Sequence, residues 1–191
     1  MDKREFLATA ALGAAALATP AHAASTAALT PTLLTITGAI GRGNRGPLDP
    51  VLDQMMKKQG LQFDKGHTFD FAALAALRPV TIRPTLEYDG KVHVLRGPLL
   101  ADVLKAAGVR QERGEVVMRA IDGYAPTASL ADIRKYRFIV ATHLDGRPMP
   151  VGGLGPLWAV FDADRFPDVA AKPVSERFAR CPWGLYHIAV Q

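Results

Sequence analysis

From Thr32 to Val190, glycine, proline or an Asp-Gly pair interrupts one apolar run after another. The runs Thr32–Ile40 (TLLTITGAI), Val80–Arg83, Lys91–Leu95 (KVHVL), Glu115–Ile121, Arg137–Leu144 (RFIVATHL), Leu157–Phe161 (LWAVF) and Pro182–Val190 are short and rich in β-branched or aromatic residues. They read as strands. Asp89-Gly90 and Asp145-Gly146 are hairpin signals, and Phe63–Phe69 reads as a hairpin or strand-edge turn. Helical stretches are fewer: Val51–Gln59 closing at Gly60, Phe71–Leu77 capped by Asp70 and stopped by Pro79, and Leu130–Tyr136 after Ser129. Strands and helices do not alternate regularly, and no repeat emerges. The expectation is α+β, with mixed, mainly antiparallel sheets and short helices, rather than a doubly wound parallel sheet.

The stretch Leu95–Gly108 (LRGPLLADVLKAAG) is the most informative. Gly97-Pro98 reads as a turn into a helix, with proline where its missing N–H does no harm. Leu99, Leu100, Val103 and Leu104 fall on one apolar face, Lys105 lies in the last turn, and Gly108 suits the left-handed closing residue. A sharp turn feeding a short amphipathic helix follows.

Residues 1–23 read as an export signal. Lys3-Arg4 opens it, Phe6–Ala18 is apolar but too short to span a bilayer, and Ala21-His22-Ala23 has the small-x-small form of a cleavage site. The start resembles a twin-arginine signal with lysine for the first arginine, and an ordinary secretory signal fits as well. Residues 24–31 read as a flexible mature N-terminus and 32–191 as one domain, periplasmic or secreted, with no membrane span after signal removal. The formal charge is +5, but its basic residues are scattered without interleaved aromatics, which speaks against nucleic acid. A basic cleft for an anionic ligand stays open.

The single cysteine, Cys181, excludes an intrachain disulfide and a multi-cysteine zinc site. His67, His93, His143 and His187 show no ligand spacing, so no metal site is read. The loop Gly41–Pro50 lacks a Gly-Lys-Ser/Thr ending, and no G-x-S-x-G elbow occurs. Gly152, Gly153 and Gly155 let a backbone come close to a ligand or to another strand.

Four pieces in order, TITG, LRGPLLADVLKAAG, IDGYAPTASLADI and HLDGRPMPVGGLGPLWAVF, together resemble the molybdopterin-binding domain of sulfite-oxidase-like oxidoreductases, especially small exported members. The resemblance covers most of residues 32–190. It implies molybdopterin as cofactor and a protein cysteine on molybdenum, a soft thiolate ligand. Counting back from Gly97, that cysteine's position falls on Thr85, and the basic residues that grip the cofactor phosphate are not evident.

The same resemblance places Arg83, Thr85, Glu87 and Tyr88 around the ligand position, with Asp122 and Tyr124 as the family's D-G-Y element beside the pocket. Each has a plainer alternative: an exposed hairpin for the first four, a backbone-bonding turn for the other two. His143 is a pocket or hydrogen-bonded structural residue, and Arg147 meets an anion at the pocket mouth or is solvated. The function expected is an exported oxidoreductase-like protein lacking the molybdenum-ligating cysteine, with a redox or sensory partner. The alternative is a cofactor-free periplasmic domain that binds a small molecule or a sensory partner. A structural or hydrolytic protein unrelated to molybdenum is a third reading.

Overall fold

A computed structural model describes residues 30–191; the export signal and most of the flexible N-terminus expected from sequence lie outside the described residues. The elements, in order, are β1 (Leu34–Gly38), α1 (Gln54–Lys58), β2 (His67–Phe69), α2 (Phe71–Ala76), β3 (Pro79–Ile82), β4 (Leu95–Pro98), α3 (Leu100–Ala106) and β5 (Glu115–Ala120). Then follow β6 (Thr127–Ser129), α4 (Leu130–Lys135), β7 (Ile139–Ala141), β8 (His143–Leu144), β9 (Arg147–Pro148), β10 (Trp158–Val160), a 3₁₀ turn at Ala163–Arg165, α5 (Pro167–Ala170), α6 (Val174–Arg177) and β11 (Leu185–Val190). A five-stranded sheet runs β2-β1-β11-β5-β6, a four-stranded sheet β3-β4-β8-β9, and β7 pairs with β10. Among the described strand pairs, only β1–β11 is parallel. The chain is α+β, as its pattern of turns implies.

Alternation decides the faces of the large sheet. Leu34, Ile36, Val116, Met118, Ile188 and Val190 point into the core and are buried. The opposite face carries Thr35, Thr37 and His187, which are buried as well. They lie under the segment between β1 and β2, where Phe63 stacks near the His187 ring and Arg45 lies over Phe63. His187 Nε2 is 3.0 Å from Thr37 Oγ1. Burial, with Arg119 and Arg45 nearby, pushes the His187 pKa down to about 4.

α3 buries Leu100, Val103 and Leu104, the face expected from their spacing, each worth about 2 kcal/mol of transfer free energy. Gly108 closes it at φ +84°. Asp70 and Ser129 cap α2 and α4, accepting from Ala73 N–H at 2.7 Å and Asp132 N–H at 2.9 Å.

Several local expectations are corrected. Gly97 and Pro98 are not a turn; they finish β4, and α3 starts at Leu100. Leu99 has no capping side chain. The first orphan donor, Leu100 N–H, is met instead by Phe138 O of the segment entering β7, at 2.8 Å. The Asp89-Gly90 turn joins no regular hairpin: Thr85 and Val92 form a single bridge, and β4 pairs with β3 and β8. Phe63–Phe69 shrinks to β2, which pairs back onto β1 rather than onto its own neighbours. The run Arg137–Leu144 splits because its halves take different partners, β10 for β7 and β4 for β8. The helix at 51–59 is five residues long, and the final strand begins at Leu185.

Candidate functional site: an apolar cleft beside the expected ligand position

The segment Arg83–His93 is held from two sides. Arg83 N–H and Thr85 N–H donate to Asp162 Oδ2 and Asp164 Oδ2 at 3.3 and 2.7 Å, just before and on the 3₁₀ turn after β10. Leu86, 2% exposed, anchors the segment in the core. Its tip is closed by Leu86 N–H to Lys91 O at 2.9 Å and Gly90 N–H to Leu86 O at 3.0 Å. Glu87 is half-buried and Tyr88 exposed at that tip.

Tyr88 forms one wall of a cleft of about 450 Å³, with Ile121, Asp122, Val151, Leu154 and Trp183 as its other side chains. Glycines 152, 153, 155 and 184 complete the lining. Gly155 is dictated by close approach, since a Cβ there would lie 2.5 Å from Met149 O. Burial, followed by the Glu87 carboxylate, pushes the Tyr88 phenol up to about 12, so Tyr88 is a neutral donor at the cleft. Asp122 is the only charged side chain in the lining, and its Oδ1 already accepts Tyr124 N–H at 2.9 Å. A second hollow, of about 350 Å³, adjoins through the shared walls Ile121 and Val151 and reaches Arg45 and Asp53, which pair at 2.5 Å.

Of the residues expected from sequence, the cleft brings together Tyr88 and Asp122. Tyr124 lies beside it but turns its hydroxyl to Ala179 O. Thr85 is half-buried against the 3₁₀ turn, and Arg83 is exposed. His143 and Arg147 lie elsewhere, on β8 and β9. The His143 ring packs 5.6 Å from Phe71 and its Nδ1 is 2.8 Å from Thr142 Oγ1. Arg147 is exposed on β9, the strand at the end of its sheet. Sequence reasoning missed Trp183 and Ile121 as lining residues. The pairing of Trp183 with Trp158 across a single bridge, which seats it there, leaves no local signal.

Cys181 is two residues from Trp183 yet fully inside, and burial pushes its thiol far above the ordinary range. It supplies no thiolate. Among the described residues, no group of three or more His, Cys, Asp or Glu is placed to hold a metal ion. A molybdenum–pterin group asks for a soft sulfur ligand and cations for its phosphate. A threonine stands where the resemblance puts the ligating cysteine, the one buried thiol is protonated, and the neighbouring cleft carries a single, negative charge. These do not fit that group.

Comparison with solved structures finds a likeness at the level of the fold. The crystal structure of the sulfane dehydrogenase SoxCD from Paracoccus pantotrophus superposes with a TM-score of 0.51 at 13% identity, over 82% of this chain and 37% of that one. The two share a fold. This chain therefore spans well under half of the SoxCD chain, and at that identity the likeness speaks of the fold alone. No family model matches the sequence. No curated protein matches it either.

Proposed function

We propose that this chain is an exported, cofactor-free binding domain built on the molybdopterin-enzyme fold, and that its cleft takes a small neutral or cationic molecule with a flat apolar body. One observation carries this reading: Tyr88 and Trp183 line a glycine-walled apolar cleft whose sole charge is Asp122. Aromatic rings stack on a flat ligand at small entropic cost, and a few polar groups then fix its orientation. The carboxylate of Asp122 disfavours an anion, which moves the reading away from the anionic ligand expected from net charge alone. Export rests on the pattern of residues 1–23. Oxidoreductase activity is not part of the proposal, because the side chains at the ligand position do not suit the metal.

Fluorescence titration with the neutral probe N-phenyl-1-naphthylamine tests this. Saturable binding is expected, weakened roughly tenfold in Trp183→Ala and in Tyr88→Ala. Affinity unchanged in both variants, or no saturation, would overturn the proposal.

A further inference from the structure

The turn that carries Tyr88 is braced by one imidazole. His93 Nδ1 lies 2.7 Å from Asp145 Oδ2, and His93 Nε2 lies 3.2 and 3.1 Å from Asp89 Oδ1 and Oδ2. Each carboxylate also takes a backbone donor: Lys91 N–H to Asp89 Oδ1 at 3.0 Å, and Val94 N–H to Asp145 Oδ1 at 2.9 Å. An ionised carboxylate only accepts. A neutral imidazole has one N–H and one bare nitrogen, so one contact would set lone pair against lone pair. The imidazolium alone donates to both sides.

The brace joins two separate parts of the chain. Asp89 directly follows Tyr88, while Asp145 begins the β8–β9 turn at φ +49°. The β8–β9 turn is fixed in the four-stranded sheet through β4. His93 thus ties the tip of the Tyr88 segment to a fixed sheet. The charged groups acting on the ring are Asp89 from its own segment and Asp145 from the facing turn; Lys91 Nζ approaches Asp89 at 3.9 Å.

Resting on the cleft reading above, we infer that the protonated His93 is the positioning residue that holds Tyr88 in the cleft, so that ligand affinity falls when this proton is lost. Hydrogen bonds donated to Asp145 and then to Asp89 raise the His93 pKa. A raised value means that the brace is whole below the ordinary imidazole range, near pH 6.5, and is lost as pH rises through the raised value. The other described imidazoles are shifted the opposite way. His67, His143 and His187 are all shifted down, chiefly by burial, and Tyr88 stays protonated to about 12.

The experiment titrates the protein between about pH 6 and about pH 9 with three readouts: the His93 ring by NMR, Trp183 emission without ligand, isolated in a Trp158→Phe background, and affinity for N-phenyl-1-naphthylamine. Expected are a His93 midpoint above the ordinary histidine value, a change in Trp183 emission with the same midpoint, and a loss of affinity of roughly three- to tenfold. In His93→Gln the emission and affinity become flat with pH. In Asp89→Asn, which leaves the imidazole in place, the midpoint moves down. A His93 midpoint at or below the ordinary value, or an emission change that survives in His93→Gln, would overturn the inference. Probe binding absent at every pH, with the emission change intact, would overturn the cleft reading and leave the brace standing.

Discussion

Trp158→Ala is expected to destabilise the protein by about 5 kcal/mol. Trp158 is fully buried on β10 and pairs with Ala141 of β7. Its ring packs 6.1 Å from Phe178, and its Nε1–H donates to Cys181 O at 2.8 Å. Truncation therefore leaves a cavity the size of an indole and a buried carbonyl without its donor, and the two costs add. For a chain of this size the melting temperature should drop by roughly 10–20 °C, readable by calorimetry or circular dichroism. Trp158→Phe fills most of the volume but loses the donor, so its cost should be close to the hydrogen-bond part alone, about 1–3 kcal/mol. Equal losses for the two variants would show that packing does not dominate at this position.

Gly97→Ala should cost about 3 kcal/mol although it adds only one methyl group to a strand. A Cβ at Gly97 would lie 1.9 Å from Val140 O and 2.8 Å from Ala141 Cα. Those atoms belong to the backbone of β7 and cannot swing aside as a side-chain tip would. Either β4 or β7 must shift, and β4 is the strand that joins β3 to β8. Denaturant unfolding of Gly97→Ala beside Gly46→Ala, whose added Cβ would meet nothing within 4 Å, separates this clash from the general effect of replacing glycine. A Gly46 variant as unstable as the Gly97 variant would contradict the close-approach account.

The same glycine shows where a sequence stops being readable. Next to a proline and a helix, Gly97 looks like turn chemistry, because the reason for it lies more than forty residues away, in the carbonyl of Val140. Several local signals were legible where the cause was local, although the Asp89-Gly90 pair turned the chain without making a regular hairpin. Asp70 and Ser129 cap the helices they precede, Gly108 takes the left-handed conformation, and Asp145-Gly146 turns with φ of +49° and +80°. Leu100, Val103 and Leu104 face the core because their spacing leaves no other choice. The segment between β10 and β11 was not legible. Its helices α5 and α6 are four residues each, too short for an apolar period to show.

The site divides in the same way. Tyr88 and Asp122 could be picked out by the resemblance, whereas His143 and Arg147, singled out from their own settings, lie on β8 and β9, away from the cleft. Trp183 and the brace at His93 depend on contacts across the fold, such as His93 to Asp145, fifty-two residues apart. The consequence is functional. A resemblance built on turns and core positions carries the fold, while the chemistry rests on the few side chains that line the cleft.

The account stands or falls on the claim that this fold is present without its molybdenum chemistry. The most direct measurement is the molybdenum content of the protein, purified from a host that makes the molybdopterin cofactor and saturates a cysteine-bearing control. The account predicts metal no higher than the buffer background in folded protein. One molybdenum per chain, retained through purification, would contradict it.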